Sequence, residues 1–206
     1  LNILKNNMPN FLQRIIALII ILSLSPLFLL ATIMIFFNDG LPIIFKQERL
    51  SQGNIFFKMY KFRTMKKNAE EILRKDENLY RIFLENDHKI PEELETRFIR
   101  TGPFLRKSSI DELPQLFNVL LGDINLVGNR PIEKSEWETY SDQERRILSK
   151  EKQGLTGLWQ VSGRSLLKKM DRKDLELKYV NDKSFLLDLK IIFKTIKIVL
   201  TRIGSF

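Results

Sequence analysis

The feature that most constrains this chain is an uncharged, apolar run of 23 residues from Ile15 to Phe37. A helix that crosses the hydrocarbon core of a bilayer needs about 20 apolar residues. The run is too long for the core of a signal peptide, and no small-residue cleavage site follows it. The alternative is a buried helix of a soluble core, but such helices are usually shorter and carry a polar face. The run therefore predicts a membrane-embedded helix.

Ser25 and Pro26 interrupt the middle of this run. Proline removes a backbone donor and clashes with the preceding turn, so a kink is predicted there. A serine hydroxyl can satisfy a carbonyl that the kink sets free. Basic residues flank the run on both sides, with Lys5 and Arg14 before it and seven Lys or Arg residues between positions 46 and 67 after it. From these residues alone, a spanning helix and a re-entrant helix with both ends on one side fit equally well.

After Gly40 the composition becomes that of a globular domain, which divides the chain into an anchor, 1–40, and a domain, 41–206. The pattern of residues 43–62 predicts two strands around a turn at 51–54. Residues 66–97 form a charged insert, in which acids and bases at helical spacing predict one amphipathic helix over 66–90.

Further elements are predicted beyond the insert. A helix is expected from Asp111 to Leu121, with Ser108 or Ser109 as its N-cap. The remaining predictions are a charged helix at 134–152, a loop with a short strand at 154–164, and an amphipathic helix at 184–203. The last helix carries Lys190, Lys194 and Lys197, which suits either an anionic membrane surface or packing on the domain core.

The residue types limit the chemistry. The chain contains no cysteine and a single histidine, His88, which excludes thiolate zinc sites, cysteine nucleophiles and multi-histidine metal sites. No phosphate-binding loop, G-x-G-x-x-G or G-x-S-x-G pattern occurs. Any catalysis must therefore use carboxylates, Lys, Arg, Tyr or hydroxyl groups.

The acidic pair Asp111-Glu112 differs from the other acidic pairs because Ile110, Leu113 and Pro114 enclose it. Desolvation raises the pKa of a carboxylate and makes it a stronger base or nucleophile. The alternative is that Asp111 only begins a helix and Glu112 is a surface acid. Asp111 and Glu112 are also the candidate ligands for a divalent cation.

Three arginines are candidates for phosphate binding, because a guanidinium can form two parallel hydrogen bonds with phosphate oxygens. They are Arg63 in the K-F-R-T-M block, Arg106 shortly before the acidic pair, and Arg130 before a proline. An isolated arginine of this kind is more often a salt-bridge partner.

Several blocks together resemble one family, the bacterial sugar transferases that act as monotopic polyprenyl-phosphate phosphoglycosyl transferases. The blocks are Ser25-Pro26, FKQERLSQGNIFFKMYKFRTM at 45–65, FLRKSSIDELPQLFNVLLGDINLVGNRP at 104–131, GLTGLWQVSGR at 154–164 and YVNDKSFLLDLKIIFKTI at 179–196. The 66–97 insert resembles the branch that begins O-antigen, capsule or exopolysaccharide units. The chain departs from the family in having Gln13 and Ala17 where members carry a Lys and an Asp, and Asn129 within the usual G-P-R-P.

The resemblance implies transfer of a sugar 1-phosphate from a UDP-sugar to undecaprenyl phosphate, with release of UMP. It implies that Asp111 is the nucleophile that forms a covalent phosphosugar intermediate, that Glu112 assists as base or metal partner, and that Mg²⁺ is the cofactor. The substrate-binding residues it implies are Lys61, Arg63, Arg106, Arg130, Gln160 and Arg164.

The resemblance also implies an α/β, mostly helical catalytic domain on a re-entrant membrane helix, with interfacial amphipathic helices. The domain would lie on the cytoplasmic face of the bacterial inner membrane, in contact with membrane lipids and without nucleic acid. Whether it forms a homodimer stays open. The alternative function is a non-catalytic, membrane-tethered adaptor whose net charge of +9 holds anionic lipid or nucleic acid.

Overall fold

The computed structural model describes residues 8–86, 90–163 and 169–201. Of the residues discussed above, Lys5, His88 and Arg164 lie outside these ranges. The helices are α1 (Asn10–Ser23), α2 (Ser25–Asp39), α3 (Ala69–Lys75), α4 (Glu77–Glu85), α5 (Gly102–Lys107), α6 (Gln115–Leu121), α7 (Lys134–Trp137), α8 (Asp142–Leu148), α9 (Lys169–Asp182) and α10 (Phe185–Thr201). The strands are β1 (Ile44–Leu50), β2 (Phe56–Phe62), β3 (Asn125–Val127) and β4 (Gly154–Thr156).

The apolar run forms two helices, α1 and α2, which are bent by 62° at Leu24. Pro26 lies at the start of α2, and the Ser25 hydroxyl donates to the Leu22 carbonyl at 2.8 Å. The predicted kink is therefore confirmed, and the serine satisfies a carbonyl next to it. Within the described ranges no single helix has the length and apolar character of a membrane span, whereas α1 and α2 reach them together.

The helix pair, α1 with α2, has one face against the domain and one face in solvent. On the inner face, Ala17 packs in a cluster with Leu116 and Leu126, and Ile35 packs in a second cluster with Phe62. The outer face exposes large apolar side chains: Phe11, Ile15, Ile19, Leu22, Leu29, Leu30, Phe36 and Phe37. So many exposed large apolar side chains on one helix pair are typical of membrane or protein contact.

Two small sheets lie against the helix pair and α6. Strands β1 and β2 form an antiparallel hairpin in which Ile44 is opposite Phe62 and Leu50 is opposite Phe56. Gly53, with a φ of 70°, lies in the turn between them, so the predicted hairpin is confirmed. Strands β3 and β4 pair in parallel. The domain is mostly helical, as predicted.

Three predicted helices were wrong in their bounds. The insert forms two helices instead of one, because the Asp76 side chain accepts a hydrogen bond from the Leu79 amide and starts α4 there. The segment 134–152 is divided in the same way by Ser141, which caps α8. The helix predicted from Asp111 begins only at Gln115, and neither Ser108 nor Ser109 caps it.

Helix α10 has one face that packs on the core and another that is free for a different contact. Ile191 is buried in a cluster with Val127 and Tyr179, so one face packs on the core. The three lysines at 190, 194 and 197 remain exposed on the rest of the helix.

Candidate active site

Asp111 and Glu112 lie on a tight turn between α5 and α6. Ser109 adopts the left-handed conformation with a φ of 57°, which ends the direction of α5, and a single 3-10 turn follows over Ile110–Glu112. Pro114 then precedes α6, where its missing amide hydrogen costs little. The pair is therefore held by the turn and not by the first turn of a helix.

Asp111 is buried, with 8% of its surface exposed. Burial and, secondly, the negative charge of Glu112 raise its pKa from the ordinary 3.8 to about 6. The positive charges of Lys61 and Arg106 oppose this rise. The prediction that this acidic pair is desolvated is confirmed for Asp111, whose carboxylate has the raised basicity expected of a nucleophile.

Lys61 reaches the pair from the end of β2. Its Nζ lies 3.3 Å from Oε1 of Glu112. Burial lowers the pKa of Lys61, and the charge of Glu112 opposes the decrease. The hairpin therefore supplies one cation to the acidic pair, Asp111 and Glu112.

Arg106, in the last turn of α5, supplies a second cation. Its Nε donates to Oγ1 of Thr64 at 3.1 Å, and its guanidinium lies 4.9 Å from the centre of the Phe98 ring. Burial lowers its pKa, while the charges of Asp111 and Glu95 oppose the change. These contacts fix the direction of the guanidinium before any ligand arrives.

Arg130 follows β3 and lies beside the loop after β4. Its guanidinium is 5.9 Å from the Trp159 ring, and that of Arg172 is 4.5 Å from the same ring. Gln160 lies next to Trp159, and its buried Oε1 has no hydrogen-bond partner within the described part of the chain. The charge of Arg130 acts on Lys61, so these cations share one neighbourhood.

The loops after β3 and β4 approach closely because two glycines meet there. A Cβ on Gly157 would lie 2.1 Å from the Gly128 carbonyl oxygen and 2.7 Å from Oε1 of Gln160. Any side chain at Gly157 would therefore push apart the loops that carry Arg130 and Gln160.

Arg63 is also buried, but it contacts the helix pair. Its guanidinium pairs with the Asp39 carboxylate and donates to the carbonyls of Asp39, Gly40 and Pro42. The structure therefore brings Lys61 and Arg106 to the acidic pair, places Arg130 near Lys61, and directs Arg63 elsewhere. The substrate role of Arg63 stays a prediction, as does that of Arg164, which lies outside the described residues.

Sequence reasoning missed two cations near the site, Arg49 and Arg172. Arg49 is buried and pairs with Glu133 at 2.6 Å. Burial, together with the charge of Arg130, lowers its pKa to about 10. Arg172 pairs with Glu136 and with the fully buried Glu176. The only signal in the sequence was the flanking of these residues by acids at short spacing, which is common on surfaces.

The dyad is compatible with a magnesium ion that also binds the substrate. Within residues 8–86, 90–163 and 169–201, no three His, Cys, Asp or Glu side chains form a metal-binding group. Mg²⁺ does not need such a group, because it usually binds one or two carboxylates and completes its shell with water and substrate phosphates. Asp111 and Glu112 fit that pattern.

The arrangement combines a basic carboxylate, a second acid and at least three cations. A buried carboxylate can attack an electrophilic phosphorus, and fixed Lys and Arg side chains can stabilise the charge of phosphate oxygens. The bent helix pair lies directly beside these residues, since Phe62 of β2 packs against Ala31 and Ile35.

Comparison with known proteins gives a consistent result. The bacterial sugar transferase family pattern matches residues 4–202. The galactosyl transferase CpsE of Streptococcus agalactiae is 42% identical over 82% of this chain and 37% of its own length. The undecaprenyl-phosphate galactose phosphotransferase of Salmonella typhimurium is 38% identical over 100% of this chain and 44% of its own length. The exopolysaccharide production protein ExoY of Sinorhizobium fredii is 37% identical over 93% of this chain and 85% of its own length.

The chain thus spans less than half of the first two relatives and most of the third. The family match covers every helix and strand described above, including the hairpin and the helix pair, and the turn that carries Asp111 and Glu112. The chain belongs to the bacterial sugar transferase family.

Proposed function

We propose that this chain transfers a sugar 1-phosphate from a UDP-sugar to undecaprenyl phosphate, as a first membrane step of polysaccharide synthesis. The observation that carries the proposal is the buried Asp111, with its raised pKa, held beside Glu112 and facing Lys61 and Arg106. The names of the relatives support it, since two of them act on galactose and one of these uses undecaprenyl phosphate.

In the first step a carboxylate oxygen of Asp111 forms a bond to the phosphorus that carries the sugar. The bond between that phosphorus and the oxygen bridging to UMP breaks, and UMP leaves with the electron pair. In the second step a phosphate oxygen of the lipid attacks the same phosphorus. The bond to Asp111 then breaks, the carboxylate is restored, and a polyprenyl-diphosphate sugar forms.

The other side chains hold charge and protons during these steps. Lys61, Arg106 and Arg130 balance the phosphate oxygens, and Gln160 and Arg164 help to shape the donor site. Glu112 accepts a proton from the lipid phosphate when that group arrives protonated. Asp111 and Glu112 would hold Mg²⁺, which neutralises diphosphate charge when bound.

The helix pair accounts for access to a lipid acceptor. Its outer apolar face would lie among acyl chains, re-entrant from the cytoplasmic side of the inner membrane, and the exposed lysines of α10 would contact anionic headgroups. The acidic turn would then lie at the interface, where the phosphate of undecaprenyl phosphate is found.

The test is release of UMP from UDP-galactose, UDP-glucose and N-acetylated UDP-sugars by detergent-purified protein with Mg²⁺. Release should require undecaprenyl phosphate for repeated turnover. Asp111→Asn should lower it by about a thousandfold or more, because it removes the nucleophile and keeps the shape. Asp142→Asn, which removes a carboxylate with 87% of its side chain exposed, is the matched control and should keep wild-type turnover.

Lipid binding without UMP release from any donor, and with an affinity that collapses as salt is raised, would favour the adaptor instead. Undiminished release in Asp111→Asn would refute the nucleophile assignment.

A further inference from the structure

The end of α2 is fixed to β2 by one buried arginine. The Arg63 side chain is 5% exposed and makes four contacts with the helix end and the turn after it. It pairs with the Asp39 carboxylate and donates to the carbonyls of Asp39 at 3.1 Å, Gly40 at 2.6 Å and Pro42 at 2.6 Å. The last carbonyls of a helix have no partner within the helix, so these bonds satisfy groups that would otherwise need water.

Arg63 also lies next to the catalytic side of the hairpin. Lys61, two residues earlier, contacts Glu112, and Thr64, one residue later, accepts the hydrogen bond from Arg106. A displacement of α2 relative to this short segment would therefore shift the helix pair relative to the whole group formed by Asp111 and these two cations.

The other arm of the helix pair has a similar connection to β3. The Gln13 side chain in α1 is buried; its Oε1 accepts from the Leu126 amide at 2.6 Å, and its Nε2 donates to the Met8 carbonyl at 2.8 Å. The Met8 amide in turn donates to the buried Asp188 carboxylate at 3.2 Å. Strand β3, which contains Leu126, leads directly to Arg130.

We propose that Arg63 and Gln13 are positioning residues that set the location of the acidic dyad relative to the acceptor phosphate of the membrane lipid. Each connects one arm of the helix pair to the strand that presents an active-site cation. Because the arms carry the exposed apolar surface, their position relative to the strands fixes how deep the dyad lies at the interface. The inference rests on the proposed function.

The two half-reactions separate this role from a merely structural one. The nucleotide sugar reaches Asp111 from water, so formation of the phosphosugar enzyme does not depend on depth in the membrane. The lipid phosphate is held at the interface by its apolar tail, so the second step does. Loss of positioning should therefore slow the second step far more than the first.

The experiment uses the chain in lipid nanodiscs prepared without undecaprenyl phosphate, with UDP-galactose and UDP-glucose as donors. Formation of the phosphosugar enzyme is followed by intact mass spectrometry, and its decay is followed after the acceptor is supplied. Arg63→Gln should slow the second step by about tenfold or more relative to the first, since a misplacement of about 1 Å can cost that much.

Three further variants grade the effect. Arg63→Lys keeps the positive charge but cannot form all the hydrogen bonds of the guanidinium, so its second-step rate should lie between those of Arg63→Gln and wild type. Asp39→Asn leaves the three hydrogen bonds to carbonyls in place, so it should slow the second step less than Arg63→Lys does. Gln13→Leu should slow the second step as much as Arg63→Gln does, because it removes the connection between α1 and β3. Leu73→Ala, which truncates a fully buried side chain of the insert, is the control for general destabilisation and should slow both steps equally.

A short-chain acceptor dispersed in detergent does not need a fixed depth, so it should restore most of the second rate in Arg63→Gln. An equal decrease of both rates in Arg63→Lys and Asp39→Asn, or no recovery with the short acceptor, would overturn the inference. These two variants keep the charge or most of the bonds, so they test it even if Arg63→Gln does not fold. A wild-type chain that forms no phosphosugar enzyme would instead refute the proposed function.

Discussion

Replacing Asp111 with asparagine should make the fold more stable at neutral pH while abolishing turnover. The pKa of Asp111 is about 6 in the fold, against an ordinary value of 3.8. The folded protein therefore binds a proton more tightly than the unfolded chain, and its stability decreases as the pH rises through this window. Above about pH 6 the unfavourable free energy of burying the charged carboxylate no longer changes with pH.

The size of this cost follows from the two pKa values. Their difference corresponds to about 3 kcal/mol, at 1.36 kcal/mol for each pH unit. An asparagine at position 111 places an amide near Lys61 and Arg106, which offsets part of the gain. We therefore expect Asp111→Asn to raise the free energy of unfolding by about 1 to 3 kcal/mol at about pH 8, and by almost nothing at about pH 3, which lies below both pKa values.

Urea unfolding in detergent, monitored by tryptophan fluorescence at a series of pH values, measures this difference. Asp142→Asn removes the same charge from an exposed position and is the control for the change of net charge. An Asp111→Asn variant that is no more stable than wild type at high pH, or whose advantage persists at low pH, would refute the account of a desolvated carboxylate.

Three other predictions follow from the site and its support. The rate of the first UMP burst should fall about tenfold for each pH unit below the pKa of Asp111. Glu112→Gln should move this decrease to lower pH, because a neighbouring negative charge that raises the pKa of Asp111 is lost; a decrease that stays at the same pH would contradict the effect of Glu112 on Asp111. Asn118→Leu should lower the free energy of unfolding, measured in urea, by about 2 to 5 kcal/mol, because it leaves the Tyr60 amide and the Lys58 carbonyl unpaired inside the protein. A decrease smaller than that range would mean that water replaces these hydrogen bonds. Chelation by EDTA should stop UMP release, addition of Mg²⁺ should restore it, and activity that persists in EDTA would exclude the metal.

Local patterns in the sequence were sufficient for the elements whose causes are local. The hairpin β1–β2 was predicted because its turn residues and alternating strands are adjacent, and the kink was predicted because Pro26 causes it. The break of the insert at Asp76 was missed, although an aspartate cap is a local signal, because charged residues at helical spacing continue across it.

The candidate site was predictable in part for the same reason. Asp111 stood out because apolar neighbours enclose it, and the structure confirms that it is buried. The roles of Arg49 and Arg63 were not predictable, since each depends on a partner far along the chain: Glu133 for Arg49, and the end of α2 for Arg63. A basic residue in a phosphate-binding block and one that caps a distant helix look identical in sequence.

The most direct test of the central claim is to find the covalent intermediate. The chain is mixed with UDP-galactose or UDP-glucose without lipid acceptor, quenched in acid and digested, and the peptides are mapped by mass spectrometry. The account predicts a hexose phosphate on the peptide that contains Asp111, lost when undecaprenyl phosphate is added before the quench and absent in Asp111→Asn. Release of UMP with no modified Asp111 peptide, or a modification that persists in Asp111→Asn, would contradict it.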